Sequence, residues 1–304
     1  MVIRKQGPTR WLGFALTLLL CGCGTAAPAA TPTPTSRSGG GSHLQVSNNL
    51  VFTRVVDCGV EQCELKLDLV RPDDATSGLP LVVLLPGSPA GPGHRAYLTA
   101  FQHALAKVGV LVANVDYRAG DNDGQFPVPI DDVGCAVAYV RSVAADHGGD
   151  PSRIVLVGHS LGGYVALMVA LGAAAGADDC LASESPDVSA VLSVEGESGP
   201  DAEIADFWQW LIGGTAEELP DRYAAADSSR YAANNPELII RALQGDDGGR
   251  LTPVAGAPFQ PFADAGHDSL GQPLINADHF DGVEVNQAAD QTINYILQVI
   301  DLLD

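Results

Sequence analysis

Gly158-His159-Ser160-Leu161-Gly162 lies between Arg153-Ile154-Val155-Leu156-Val157 and Gly163-Tyr164-Val165-Ala166-Leu167. The first flank is a short β-branched and aliphatic run with the character of a buried strand, and the second continues as a helix. A turn that only redirected the chain would be served by Asn-Gly or Asp-Gly and needs no serine at its apex. In the G-x-S-x-G arrangement a sharp strand-to-helix turn lifts the serine Oγ above the sheet. Small residues on both sides let strand and helix approach. The helix N-terminus beneath also favours negative charge developing over the serine. The spacing predicts that Ser160 is a nucleophile.

A serine hydroxyl needs a base within reach. Of the seven histidines, His43 lies in a linker, and His94 and His103 precede the turn. His147 ends a helical stretch, and His159, beside Ser160, points elsewhere by the geometry of the turn. His267, in Asp-Ala-Gly-His-Asp-Ser, reads as a surface turn residue after a helix. It and His279, in Ile275-Asn276-Ala277-Asp278-His279-Phe280, are the two that remain.

The elements that must position these residues alternate in type. Period-two runs near 50–56 and 64–70 predict an antiparallel hairpin. Apolar strands are expected at 81–85, 110–115, 153–157, 188–194 and 237–243, with helical stretches at 97–108, 130–145, 161–175 and 259–265 and a terminal helix carrying Ile293, Ile296 and Ile300. Near-continuous apolar strands alternating with helices imply a doubly wound, mostly parallel α/β sheet with helices on both faces. Residues 199–236 break this rhythm and read as a short cap insertion. Its Phe207, Trp208 and Trp210 either line an acyl pocket or pack the cap on the core.

From Leu81 to about Phe280 the chain resembles the α/β-hydrolase fold esterases and lipases, in the branch with D-Y-R at a strand end and D-P-x-R-I ahead of the serine turn. The matching residues are Asp116-Tyr117-Arg118 and Asp150-Pro151-Ser152-Arg153-Ile154. The resemblance implies an acyl-enzyme mechanism without cofactor or metal, with nucleophile, acid and base in that chain order. Asn276-Ala277-Asp278-His279-Phe280 is similar to the family's final loop, which makes His279 the base. The family places its acid three residues after the glycine of Gln244-Gly245-Asp246-Asp247, but Gly248 holds that slot. Asp247 is therefore the expected acid, with Asp246 or Glu195, from the preceding strand, as alternatives. Leu161 N–H and Ser88 N–H would form the oxyanion hole, with Gly87 lining the approach, since Pro89 cannot donate. Asp131 and Asp132 read as helix N-terminal caps, and Asp116 as a structural residue.

Bulk properties agree with a folded exported enzyme. A net charge of −21 over 304 residues argues against nucleic acid as a partner. Arg4, Lys5 and Arg10 precede a short apolar stretch ending in Leu20-Cys21-Gly22-Cys23, which resembles a bacterial lipobox with Cys23 as the lipidated residue. Residues 1–23 then form a signal peptide, 24–43 a Pro/Thr/Gly-rich tether, and 44–304 the catalytic domain, held at a membrane through its lipid. Export makes the four remaining cysteines an even set in an oxidising compartment, expected to pair as Cys58–Cys63 and Cys135–Cys180. The expected substrate is a small-molecule or lipid ester. A serine peptidase of the prolyl-oligopeptidase kind, or an inactive lipid-anchored binding protein on a hydrolase core, are the alternatives.

Overall fold

The computed structural model describes residues 43–55, 63–75, 77–88, 91, 94–120, 123–175, 179–245 and 259–304. The expected signal peptide with Cys23, nearly all of the tether, the Cys58–Cys63 pairing, and Asp246 and Asp247 lie outside the described residues.

Among the described residues, eight strands form one sheet in the order β1-β2-β4-β3-β5-β6-β7-β8. The strands β1 (Leu44–Val55) and β2 (Cys63–Pro72) pair antiparallel, and β2 pairs antiparallel with β4 (Leu111–Val115). From β4 onward the ladder through β3 (Leu79–Leu85), β5 (Gly149–His159), β6 (Ala190–Val194), β7 (Ile239–Gly245) and β8 (Asp268–Leu274) is parallel. The central strands are apolar without alternation because both faces are covered: Leu81 to Leu85 are all buried, as are Ile154 to Val157. Helices α2 (Val128–Val143) and α3 (Leu161–Ala170) pack with one face, α1 (Thr99–Ala106) and α7 (Gln287–Asp301) with the other, and the short α6 (Gln260–Asp264) precedes β8. The last helix is held at its start by Asn286, whose Oδ1 accepts from Ala288 N and Ala289 N at 2.8 and 3.1 Å.

Three expectations are corrected. The helix after Ser160 stops at Ala170, where Gly172 takes φ +74°, rather than running to 175. A strand that the apolar pattern did not announce, β8, closes the sheet; its Asp-Ser-Leu-Gly-Gln-Pro-Leu sequence is mostly exposed, as an edge strand allows, and Pro273 is tolerated there. Asp131 and Asp132 do not cap α2. Asp131 accepts from Ala175 N at 2.9 Å, whereas buried Asp132 takes Arg118 Nε and NH2 at 2.9 and 2.7 Å.

Cys135 of α2 is joined to Cys180, 45 positions further along the chain, with Cα atoms 5.3 Å apart. The bridge fastens α2 to the segment that runs beside β1, where Leu181 N donates to Phe52 O at 3.0 Å. Closing a loop of this length restricts the unfolded chain by about 2–4 kcal/mol. The Cys135→Ser/Cys180→Ser double variant is expected to lose that much stability in chemical denaturation, with a larger m-value because its unfolded chain is no longer held compact by the bridge.

Candidate active site

Register assembles the site. The β3–β5 ladder sets Gly158 beside Leu85, and the β5–β6 ladder sets His159 beside Val194, so the ends of three adjacent strands meet at Ser160. Ser160 takes φ 53° and ψ −121°, outside the regions open to ordinary L-residues. Its N–H donates to Val194 O at 2.8 Å, and its carbonyl accepts from Gly163 N at 2.8 Å, opening α3. A Cβ on Gly158 would stand 2.0 Å from Gly162 O, and one on Gly162 would stand 2.5 Å from both Leu85 O and Pro86 O. Only glycine fits either position.

Ser160, Leu161, Tyr164, Glu195, Glu197, Ile204, Phe207 and His279 line one cavity of about 310 Å³. It opens beneath the cap, residues 199–236, which contains α4 (Ala205–Ile212) and α5 (Pro220–Ala225). The three cap aromatics divide their work. Phe207 lines the cavity, and Trp208 is fully buried with its ring edge-on to Tyr164 at 5.0 Å. Trp210 covers Gly120, where a Cβ would meet its indole at 1.9 Å.

His279 stands on the loop between β8 and α7, with its side chain 36% exposed and its Nδ1 3.8 Å from Glu195 Oε2. Glu195 follows β6 directly, is buried, and also takes a positive φ of 54°. Its Oε1 accepts a hydrogen bond from Gly245 N, and its own N–H donates to Leu243 O at 2.8 Å. A Cβ on Gly245 would run into Ala277 O at 2.3 Å, so the glycine lets the end of β7 fit between Glu195 and the histidine loop. The structure thus brings Ser160, Glu195 and His279 to one cavity. Gly87 is adjacent, since a Cβ there would stand 3.1 Å from Ser160 Cβ. Exposed Ser88 follows it, and Leu161 opens α3 with an N–H that has no partner within the helix.

Two other histidines have structural work. His267 is not a surface turn residue: it is buried, with Nε2 2.7 Å from Ala232 O and Nδ1 3.2 Å from Leu238 O. The sequence hid this because its carbonyl partners lie in segments about 30 residues away. His159 is also buried, and its Nε2 lies 2.6 Å from the carbonyl oxygen of His279. The bond requires the Nε2–H tautomer, because a carbonyl only accepts. His159 therefore ties the serine turn to the histidine loop.

The end of β4 braces the other side. Asp116 pairs with Arg95, which also reaches Asp68 at 2.9 Å. Tyr117 OH donates to Pro86 O at 2.6 Å, and Arg118 grips Asp132. Each residue of Asp116-Tyr117-Arg118 thus fixes a different element, and Tyr117 holds the β3 end that touches Gly162. Among the described residues no His/Cys/Asp/Glu group is arranged to hold a metal ion, and no helix is long and apolar enough to cross a membrane.

Burial holds His159 neutral, pushing it down to about 4, with the His279 carbonyl bond opposing the shift and His279 itself adding to it. Unfolding restores an ordinary imidazole near 6.5, so between these values the unfolded chain binds the extra proton. Stability supplied by neutral His159 is present above about pH 6.5 and lost as pH falls through about 4. The difference in unfolding free energy between wild type and His159→Asn is expected to narrow by about 3 kcal/mol across that window, read by urea denaturation at successive pH values.

The BD-FAE family model matches residues 67–246 of this chain. A probable isoprenylcysteine alpha-carbonyl methylesterase of Oryza sativa subsp. japonica is 36% identical over 106 residues, covering 35% of this chain and 25% of its own length. A probable carboxylic ester hydrolase of Mycobacterium tuberculosis is 32% identical over 103 residues, covering 33% of this chain and 24% of its own. The matches thus span about a quarter of these relatives' length. Among solved structures, a truncated carbohydrate esterase from gut microbiota superposes with a TM-score of 0.67 at 19% identity, covering 85% of this chain and 96% of its own. Esterase 2 of Thermogutta terrifontis, phosphoramylated by tabun, gives a TM-score of 0.68 at 19% identity, covering 89% and 96%. Both share the α/β-hydrolase fold seen here.

Proposed function

The chain belongs to the BD-FAE family, and we propose that it is an exported serine hydrolase that cleaves carboxylic esters through an acyl-enzyme intermediate. One observation carries this reading: Ser160, held at φ 53° on the strand-to-helix turn, shares a cavity with His279 and the buried carboxylate of Glu195. The similarity to a probable methylesterase of Oryza and a probable carboxylic ester hydrolase of Mycobacterium supports the reaction class.

Ser160 Oγ attacks the ester carbonyl while His279 removes its proton, and the developing oxyanion is met by the N–H groups of Leu161 and the Gly87–Ser88 segment. His279 then returns the proton to the departing alkoxide. Water, deprotonated by the same imidazole, releases the acid and restores Ser160. Glu195 fills the orienting role. It faces Nδ1, leaving Nε2 for the serine, and at 3.8 Å it is placed to close into a hydrogen bond as the imidazolium forms. Asp247 competes for this role from the sequence side. The lipobox-like Cys23 and the 24–43 tether would hold the enzyme at the outer face of a bacterial membrane, where small or lipid esters reach it.

Turnover of p-nitrophenyl acetate and butyrate is expected, and Ser160→Ala should lower it by several decades, on the order of 10⁵-fold, with the fold retained by circular dichroism. Wild-type turnover in that variant would remove the nucleophile assignment. Glu195→Gln is expected to lower kcat by on the order of 10⁴ and Asp247→Asn to be mild; the opposite ranking gives the orienting role to Asp247. Wild-type protein should sediment with membranes and Cys23→Ser protein should not.

A further inference from the structure

Glu197 lines the catalytic cavity, yet the reaction above gives it nothing to do. It lies on the segment that leads from Glu195 toward the cap, in the same cavity as Ser160 and the aromatic rings of Tyr164 and Phe207. No hydrogen bond or ion pair with a described residue reaches its carboxyl. Among the described residues, no lysine or arginine lines the cavity. A half-buried carboxyl against apolar walls loses hydration without gaining a partner, and a ligand that supplies one recovers that loss.

We propose that Glu197 is a specificity determinant, selecting esters that carry a cationic group over neutral esters of the same shape. This rests on the esterase reading of the site. The charged groups facing Glu197 are Asp201 and Glu195, both acidic, and His279, so an arriving cation meets net negative charge. The aromatic rings of Tyr164 and Phe207 line the same cavity, and a ring whose face lies within about 6 Å of a cation attracts it through its quadrupole. Burial first, and then Asp201 and Glu195, push the Glu197 carboxyl up to about 7, against the opposing pull of His279. The preference for a cation must then strengthen as pH rises and Glu197 ionises. A hydroxyl-bearing ester would show no such dependence, because either form of the carboxyl can hydrogen-bond a hydroxyl.

The test uses two butyrate esters of matched shape, the 2-(trimethylammonio)ethyl ester and the 3,3-dimethylbutyl ester, which differ by a quaternary nitrogen in place of carbon. Their ratio of kcat/KM cancels any pH dependence of the chemical step, which both substrates share. In the wild type the ratio is expected to favour the cation and to rise by up to about tenfold from pH 6 to pH 8.5, following the ionised fraction of Glu197. In Glu197→Gln it should be smaller and flat. A wild-type ratio that ignores pH, or a rise that survives in Glu197→Gln, overturns the proposal while leaving the esterase reading intact. If neither ester is hydrolysed, the esterase reading falls by itself. Calorimetric binding of the two esters to Ser160→Ala protein at the same pH values then tests the cation preference directly, and equal affinity overturns it.

Discussion

Ser160 sits at φ 53° and ψ −121°, a conformation that costs an ordinary residue about 1–3 kcal/mol and persists only where its surroundings enforce it. The enforcement comes from two directions. From one side β6 supplies Val194 O as the acceptor for Ser160 N–H. From the other, Gly162 presses against the carbonyls of Leu85 and Pro86, and Pro86 is itself held by Tyr117 OH. Tyr117 stays in place because Asp116 and Arg118 on either side of it are tied to Arg95 and Asp132. The strain at one serine is thus distributed over three strand ends and two buried ion pairs. Breaking either pair by removing one partner would leave an uncompensated buried charge, which is far costlier than the strain.

Among the described residues, six non-glycine positions take positive φ, and four of these are Asn or Asp, which tolerate it. The other two are Ser160 and Glu195. They leave the adjacent strands β5 and β6, one presenting a hydroxyl and the other a carboxylate to the same cavity. That coincidence ties the backbone to the chemistry: in each case the strand must bend sharply to aim a side chain across the sheet edge. His279 contributes from a loop, and two anchors fix that loop. His159 Nε2 takes its carbonyl, and Ala277 packs on the bare backbone of Gly245.

Much of this was legible in residue order. The serine turn, its glycines and the continuous apolar strands all carry local signals of period or spacing, and the Cys135–Cys180 pair follows by elimination from an even cysteine count. What escaped the sequence depends on contacts between distant segments. Strand β8, last in the described sheet, lacks an apolar run because most of its residues are exposed. Asp132 looks like a helix cap beside Asp131, and only the fold reveals that Arg118 arrives 14 residues away to claim it. His267 looks solvent-facing until the carbonyls of Ala232 and Leu238 enclose it. Glu195, one of the three carboxylates the sequence offered, stands 3.8 Å from a ring 84 residues later, a distance residue order alone does not set, whereas Asp246 and Asp247 lie outside the described residues.

The cap shows how one short helix couples substrate space to this framework. Successive positions on α4 turn by about 100°, so Phe207, Trp208 and Trp210 face three directions. Phe207 reaches the cavity, Trp208 reaches Tyr164 on α3, and Trp210 reaches Gly120 just beyond Arg118. The backbone is fastened as well: Phe126 N donates to Leu211 O at 2.8 Å, and Tyr164 OH donates to Ala226 O at 2.8 Å. A wall held at this many points does not need to fold around its ligand, and a cavity formed in advance spares the ordering cost of binding. Its polar groups are then fixed relative to Ser160 before any ester arrives. That is the condition under which a carboxyl such as Glu197 discriminates between substrates by charge, because neither the wall nor the nucleophile can move away to relieve a mismatch.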